Sequence, residues 1–208
     1  MLYIPSPQTQ RRSVLRLAAW VAAVAAAPSV RAVDSINDPA TEARERKGRA
    51  WFTDTILLDQ DGRRQRFYSD LLAPAGQARV VLVHPLFTGC SSACPLIVKL
   101  LLQVRSALDE TRQRDLAILS LSVDPLADDP PALKAFAVRH GADLPRWHFL
   151  GGSRADVERV ARRLGLWTDV PDAHATVLIA GRAAAGHWRK LRPDQEPRVI
   201  AQQLDRFW

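Results

Sequence analysis

Cys90 and Cys94 are the only cysteines in the 208-residue chain. They lie in FTGCSSACPLIVKLLL (87–102), with three residues between them and Pro95 after the second. Such a pair could exchange disulfides, hold a metal ion or staple a loop. The staple is the weakest of these, because the entropy gained by cross-linking grows with loop length and this loop is tiny. Proline is favoured in the first turn of a helix, so Cys94 should sit at a helix N-terminus. Backbone N–H groups and the helix dipole stabilise a thiolate there, and the Cys94 thiol is expected to be acidified.

The elements that position this loop can be read from pattern. ARVVLVHPLF (78–87) is a continuous apolar run and predicts a strand buried on both faces. The helix after the cysteines should reach about Asp109. DLAILSLSVD (115–124) predicts a second buried strand, and DDPPALKAFAVRHG (128–141) a helix with prolines at its start and Gly141 at its end. RWHFLGG reads as a short strand. SRADVERVARRLGL (153–166) reads as a helix capped by Ser153, with Asp156 three residues on. AHATVLIAG (173–181) and AAGHWRKL (184–191) should pair antiparallel, and 195–208 should close as a helix. Upstream, Ile56–Leu58, an Asp61-Gly62 turn and Arg66–Tyr68 predict a hairpin. This order predicts an α/β fold: a thioredoxin-like three-layer sandwich with a central mixed β-sheet and an N-terminal β-hairpin.

Oxidoreductases of that fold separate their cysteines by two residues. The third intervening residue here widens the bite and lets both sulfurs face one ion. Two thiolates suit soft ions, above all Cu(I), but rarely complete a site, so a third ligand is required. Pro85 inside a central strand removes a ladder donor and predicts a bulge or a strand end. His84 beside it is read as a core histidine, with an extra ligand or proton donor as the alternative. Asp124 is read as a turn-former, with a nearby acid as the alternative. His140, His148 and His187 have no metal spacing between them and are read as structural.

Composition narrows the partners. Residues 1–32 carry Arg11, Arg12, Arg16 and Arg31 and no acid. Without those four the net charge of +7 falls to +3, which removes most of the support for a nucleic-acid partner. The same segment reads as an export signal, with its paired arginines resembling a twin-arginine leader. Its apolar stretch, Leu17–Ala27, is too short to span a bilayer. Export to an oxidising periplasm is therefore expected, with an uncleaved membrane anchor as the alternative. Residues 33–50 are read as a polar tether, and 51–208 as the folded domain. Met1 is the only methionine, so no methionine-rich metal relay is expected.

The loop motif Phe87-Thr88-x-Cys90-x-x-x-Cys94-Pro95, together with YSDLL, LSVDP, AFAVRHGA, WHFL and DAHATVLI, resembles the Sco/SenC family of copper chaperones. The resemblance covers roughly residues 51–192. It implies one copper ion held by Cys90, Cys94 and His174. Asp172 could orient the His174 ring, although a strand-end role is favoured for it. The resemblance further implies an apo copper protein as partner, expected to be a terminal oxidase subunit. A thiol–disulfide reductase and a membrane surface remain further partners to consider. Two other functions stay open at this level: a dithiol oxidoreductase acting on a copper-receiving partner, and a copper sensor. A peroxidase is disfavoured because a threonine-rich lead-in is lacking.

Overall fold

The structure is a computed structural model that describes residues 39–74, 79–171 and 176–208. In chain order these form α1 (Pro39–Phe52), β1 (Ile56–Leu58), β2 (Arg64–Arg66), β3 (Val80–Leu86), α2 (Ala93–Ser106), α3 (Glu110–Asp115), β4 (Leu116–Ser122) and α4 (Pro130–Arg139). They continue with β5 (Trp147–Leu150), α5 (Arg154–Leu164), β6 (Leu178–Arg182), β7 (His187–Leu191) and α6 (Pro197–Leu204). The main sheet runs β5-β4-β3-β6-β7. Its first three strands are parallel, and β6 and β7 are antiparallel additions.

Period-two alternation on β3 and β4 sends residues to opposite faces. Val80, Leu82, Leu116 and Ile118 join one core with Val98 and Leu101 of α2, Phe136 of α4 and Ile200 of α6. Val81, Val83, Leu119 and Leu121 join the other with Val157 and Val160 of α5 and Phe52 of α1. Helices therefore cover both faces, as expected for a thioredoxin-like sandwich. Each fully buried Leu or Val contributes roughly 1.5–3 kcal/mol through removal from water.

Helix ends follow their sequence signals. Asp129 caps α4 by accepting from the Ala132 N–H at 2.8 Å, and Gly141 ends it at φ 68°. Ser153 caps α5 through the Asp156 N–H, and its hydroxyl donates to the Asp156 carboxylate. The hairpin also forms, but its return strand is Arg64–Arg66. Phe67–Leu72 turns instead into a short π-helix that buries Phe67, Tyr68, Leu71 and Leu72. The hairpin covers the edge of β5. Leu58 bridges Gly151, and the Gln60 side chain donates to Trp147 O and accepts from Phe149 N. An exposed edge is thus blocked by a side-chain amide acting as a strand segment.

Two features differ from the sequence reading. Pro39–Phe52 is helical, where a polar tether was expected through residue 50. The helix lacks an apolar stripe, and it is anchored at its end by Phe52, which is buried against Trp188 with ring centroids 4.7 Å apart. Pro85 does not interrupt the β4 side of its strand, which stays in register to Leu86↔Ser122. Pairing with β6 stops at Val83↔Ile179, so Pro85 lies beyond that ladder and marks a strand end on one side only.

Candidate metal centre at the cysteine loop

β3 delivers the chain to the loop at its carboxyl end, where open α/β sheets place their sites. The loop is fixed by a buried acid. Asp128, 1% exposed, accepts from the Thr88 N–H at 2.9 Å, from the Thr88 hydroxyl at 2.7 Å and from the Ser122 hydroxyl at 2.6 Å. Burial raises the Asp128 pKa, and the three donors hold it down only in part. Asp124 forms the turn expected of it, and the nearby acid, its alternative, is Asp128 instead. The Asp124 carbonyl accepts from Ala127 and Asp128, and its N–H donates to Ser122 Oγ. Asp128 escaped the sequence reading because DDPP was read only as a helix start. One cap needs one acid, so the second aspartate was the available signal.

Cys94 lies in the first turn of α2, and its N–H donates to Cys90 Sγ at 3.3 Å. Both cysteines are free thiols. The acidification expected of Cys94 is not found there and falls on Cys90 instead. Burial pushes the Cys94 thiol up to about 12, reinforced by the Cys90 thiol and opposed only by a backbone bond at Phe87. Cys94 begins the buried stripe Cys94, Val98, Leu101 and Val104, so the packing of α2 carries it into the core and outweighs the dipole. Burial also pushes Cys90 up. Backbone N–H groups at Cys94, Ser92 and Ala93, together with the Cys94 thiol, outweigh that and leave Cys90 below its ordinary value. Cys90 is the half-exposed, more acidic sulfur.

Alkylation should expose this order. At pH 8 a thiol of pKa about 12 holds on the order of 10⁻⁴ of its population as thiolate. Iodoacetamide followed by peptide mass spectrometry should modify Cys90 at least about a hundredfold faster than Cys94. Equal rates would show that burial does not protect Cys94.

His84 is also buried, at 1% exposure, and lines a small pocket with Cys94, Ala93, Ile97, Thr176 and Val177. Its Nδ1 lies 3.1 Å from the Pro85 carbonyl, which can only accept. The ring proton therefore belongs on Nδ1. Its Nε2 accepts from the Ser120 hydroxyl at 2.7 Å, and Ser120 Oγ accepts from Trp147 Nε1 at 2.9 Å. Both ring nitrogens are engaged. The extra-ligand alternative for His84 is withdrawn, and the core-histidine reading holds. His140 packs on Phe136, and His187 packs on Phe207. His148 is held below its usual range by burial, partly offset by Asp59.

His174 and Asp172 lie outside the described residues. Among the described residues no three side chains form a metal-binding group. The two thiols are a chemically suitable but incomplete donor set for a soft ion.

A dithiol at the first turn of the helix that follows the first central strand defines a thioredoxin-like thiol protein. Within that class, the SCO1/SenC family model matches residues 73–205, and the chain belongs to the SCO1/SenC family. It is 33% identical over 86 residues to the SCO1 protein homolog of Bacillus subtilis (strain 168), which covers 41% of this chain and 44% of that relative. The matched stretch thus spans less than half the relative's length. The structure of Bradyrhizobium japonicum ScoI with copper bound superposes with a TM-score of 0.60 at 19% identity, covering 74% of this chain and 97% of that one. BsSco, a member of the Sco family of cytochrome c oxidase assembly proteins with an identified disulfide switch, superposes with a TM-score of 0.59 at 22% identity. That match covers 73% of this chain and 89% of BsSco. At these identities the likeness to the solved structures is one of fold.

Proposed function

We propose that the protein is an exported copper metallochaperone that holds copper through Cys90, Cys94 and His174 and passes it to a respiratory oxidase copper centre. The observation that carries this reading is the approach of the Cys90 sulfur to the Cys94 backbone at the start of α2. Thr176, two residues after His174, lines the same pocket as Cys94, which supports a third ligand from that segment. Copper-bound ScoI and the oxidase-assembly role of the BsSco family support the cargo and its destination. Release would proceed by ligand exchange, with an incoming thiolate or imidazole displacing one donor at a time. Because thiolates bind only when deprotonated, Cys90 is the natural first ligand.

Export and a periplasmic location rest on the leader reading of residues 1–32. Among the described residues no helix is long and apolar enough to cross a membrane.

A second reading, thiol–disulfide exchange, is favoured by the asymmetry of the two thiols. The Cys90 thiolate would attack a partner disulfide and release one partner thiolate, which takes up a proton. The Cys94 thiol, on losing its proton, would then attack the mixed disulfide. This forms a Cys90–Cys94 disulfide and leaves the partner with both thiols reduced by two electrons.

Copper titration of the reduced full chain separates the two readings. Wild type should bind one equivalent, and Cys90→Ser or His174→Ala should weaken that binding by at least about a hundredfold. Undiminished binding by His174→Ala would remove the imidazole from the site, whereas failure of the wild type to hold copper, with dithiol exchange intact, would leave only the oxidoreductase.

A further inference from the structure

A second concave site lies away from the cysteines. Cys94 belongs to the core on the α2 face of the sheet, whereas this groove is built on the opposite core, between α1, α5 and the β6–β7 hairpin. Its floor is Phe52, Tyr68, Leu164, Ile179 and Trp188, and Trp51, 60% exposed, forms one wall. Two glycines shape that floor. A Cβ on Gly48 would meet the Tyr68 ring, with Cε2 at 2.7 Å, and one on Gly181 would meet the Trp188 indole. The aromatic rings can therefore lie flat under α1 and over β6. The groove holds about 550 Å³, within the range of roughly 300–1,000 Å³ typical of small-molecule clefts.

The rim carries one sign of charge. Among the described lining residues Arg44, Lys47, Arg163, Arg189 and Lys190 are charged and none is a carboxylate. Burial raises the Tyr68 phenol, and Glu45 and Asp54 lie near enough to the floor to add to that rise. Among the described residues, Lys47, Arg163, Arg189 and Lys190 make no ion pair, while other arginines of the same helices pair with neighbouring acids, such as Arg162 with Glu158 and Arg49 with Asp54. Low-dielectric walls beneath Lys47, Arg163, Arg189 and Lys190 concentrate a positive potential in the cleft. An apolar floor under a cationic rim is complementary to a molecule with an apolar body and an anionic head. We infer that this groove binds one soluble anionic amphiphile, with a ring or acyl body on the aromatic floor and a phosphate- or carboxylate-class head at the rim. A concave cleft of this volume suits a single molecule rather than the plane of a bilayer.

Calorimetric titration of the full chain with dodecyl phosphate below its micellar concentration tests this. One saturable site is expected, weakened by added salt. Lys47→Glu combined with Arg189→Glu, both exposed positions, should weaken it at least about tenfold. Cys90→Ser should leave it unchanged. Inorganic phosphate and dodecyl maltoside should each bind at least about tenfold more weakly than dodecyl phosphate. Three results would each overturn the inference: equal binding of phosphate alone, unchanged affinity in the charge-reversed variant, or binding to phosphatidylglycerol vesicles without binding of the monomer.

Discussion

Asp128→Ala is expected to lower stability by roughly 3 kcal/mol and copper affinity by about tenfold. The carboxylate is buried and takes three hydrogen bonds, two of them from Thr88, two residues before Cys90. Its removal strands the Thr88 N–H and the Ser122 hydroxyl in the interior, and each buried unsatisfied group costs about 1–3 kcal/mol. For a chain of this size that corresponds to a fall in Tm of about 6–12 °C. The cost is reduced because an ionised carboxylate is itself expensive to bury. Asp128→Asn should recover much of the loss, since its carbonyl can accept from Thr88 while its amide donates to Ser122 Oγ. Recovery of copper affinity by Asn, without a charge, would show that Asp128 positions the loop rather than tuning the sulfurs. The pH dependence has a defined sign. Burial holds the folded pKa of Asp128 above the ordinary carboxylate value, so the folded state holds the proton more tightly. Wild type therefore loses this contribution as pH rises from about 4 through the raised folded value, and the stability of Asp128→Asn relative to wild type should increase over that window. Thermal melts across that range measure it.

Ser120→Ala should cost about 2–4 kcal/mol for a single missing oxygen. Ser120 Oγ is the shared middle of a buried chain in which Trp147 donates to Ser120 and Ser120 donates to His84. Its loss orphans an indole N–H and an imidazole nitrogen at once. Trp147→Phe made together with Ser120→Ala should cost less than the sum of the two single changes, because the indole N–H no longer needs a partner. Strict additivity in denaturant melts would mean that Ser120 and Trp147 are not coupled. His84 also lines the Cys94 pocket, so the network fixes the wall behind the buried sulfur.

These two networks explain what was legible in the sequence. Continuous apolar runs announced β3 and β4 because both faces of a central strand are buried. The cap at Ser153 was legible because a cap is a local bond. α1 was missed because its helicity depends on a distant partner for Phe52, and polar composition alone argued for a tether. Within the site, the dithiol and its place at a helix start were visible. The Cys94 thiol differs from its expected acidity because the helix dipole was weighed without the burial. The spacing Cys94, Val98 and Leu101 already placed that thiol on the buried stripe of α2. Asp128 and Ser120 act across separations of 40 and 36 residues, which no local pattern encodes. His84-Pro85 stood out in sequence as an oddity. It proves to be a buried hydrogen-bonded pair placed just past the last β6 rung.

In the proposed site one copper ion shares both sulfurs and one imidazole. X-ray absorption of the stoichiometric copper complex of the reduced full chain tests it most directly. Two sulfur scatterers and an imidazole nitrogen are expected in the first shell, with one sulfur lost in Cys90→Ser and the imidazole lost in His174→Ala. A first shell with no sulfur, or one unchanged by either substitution, would contradict it.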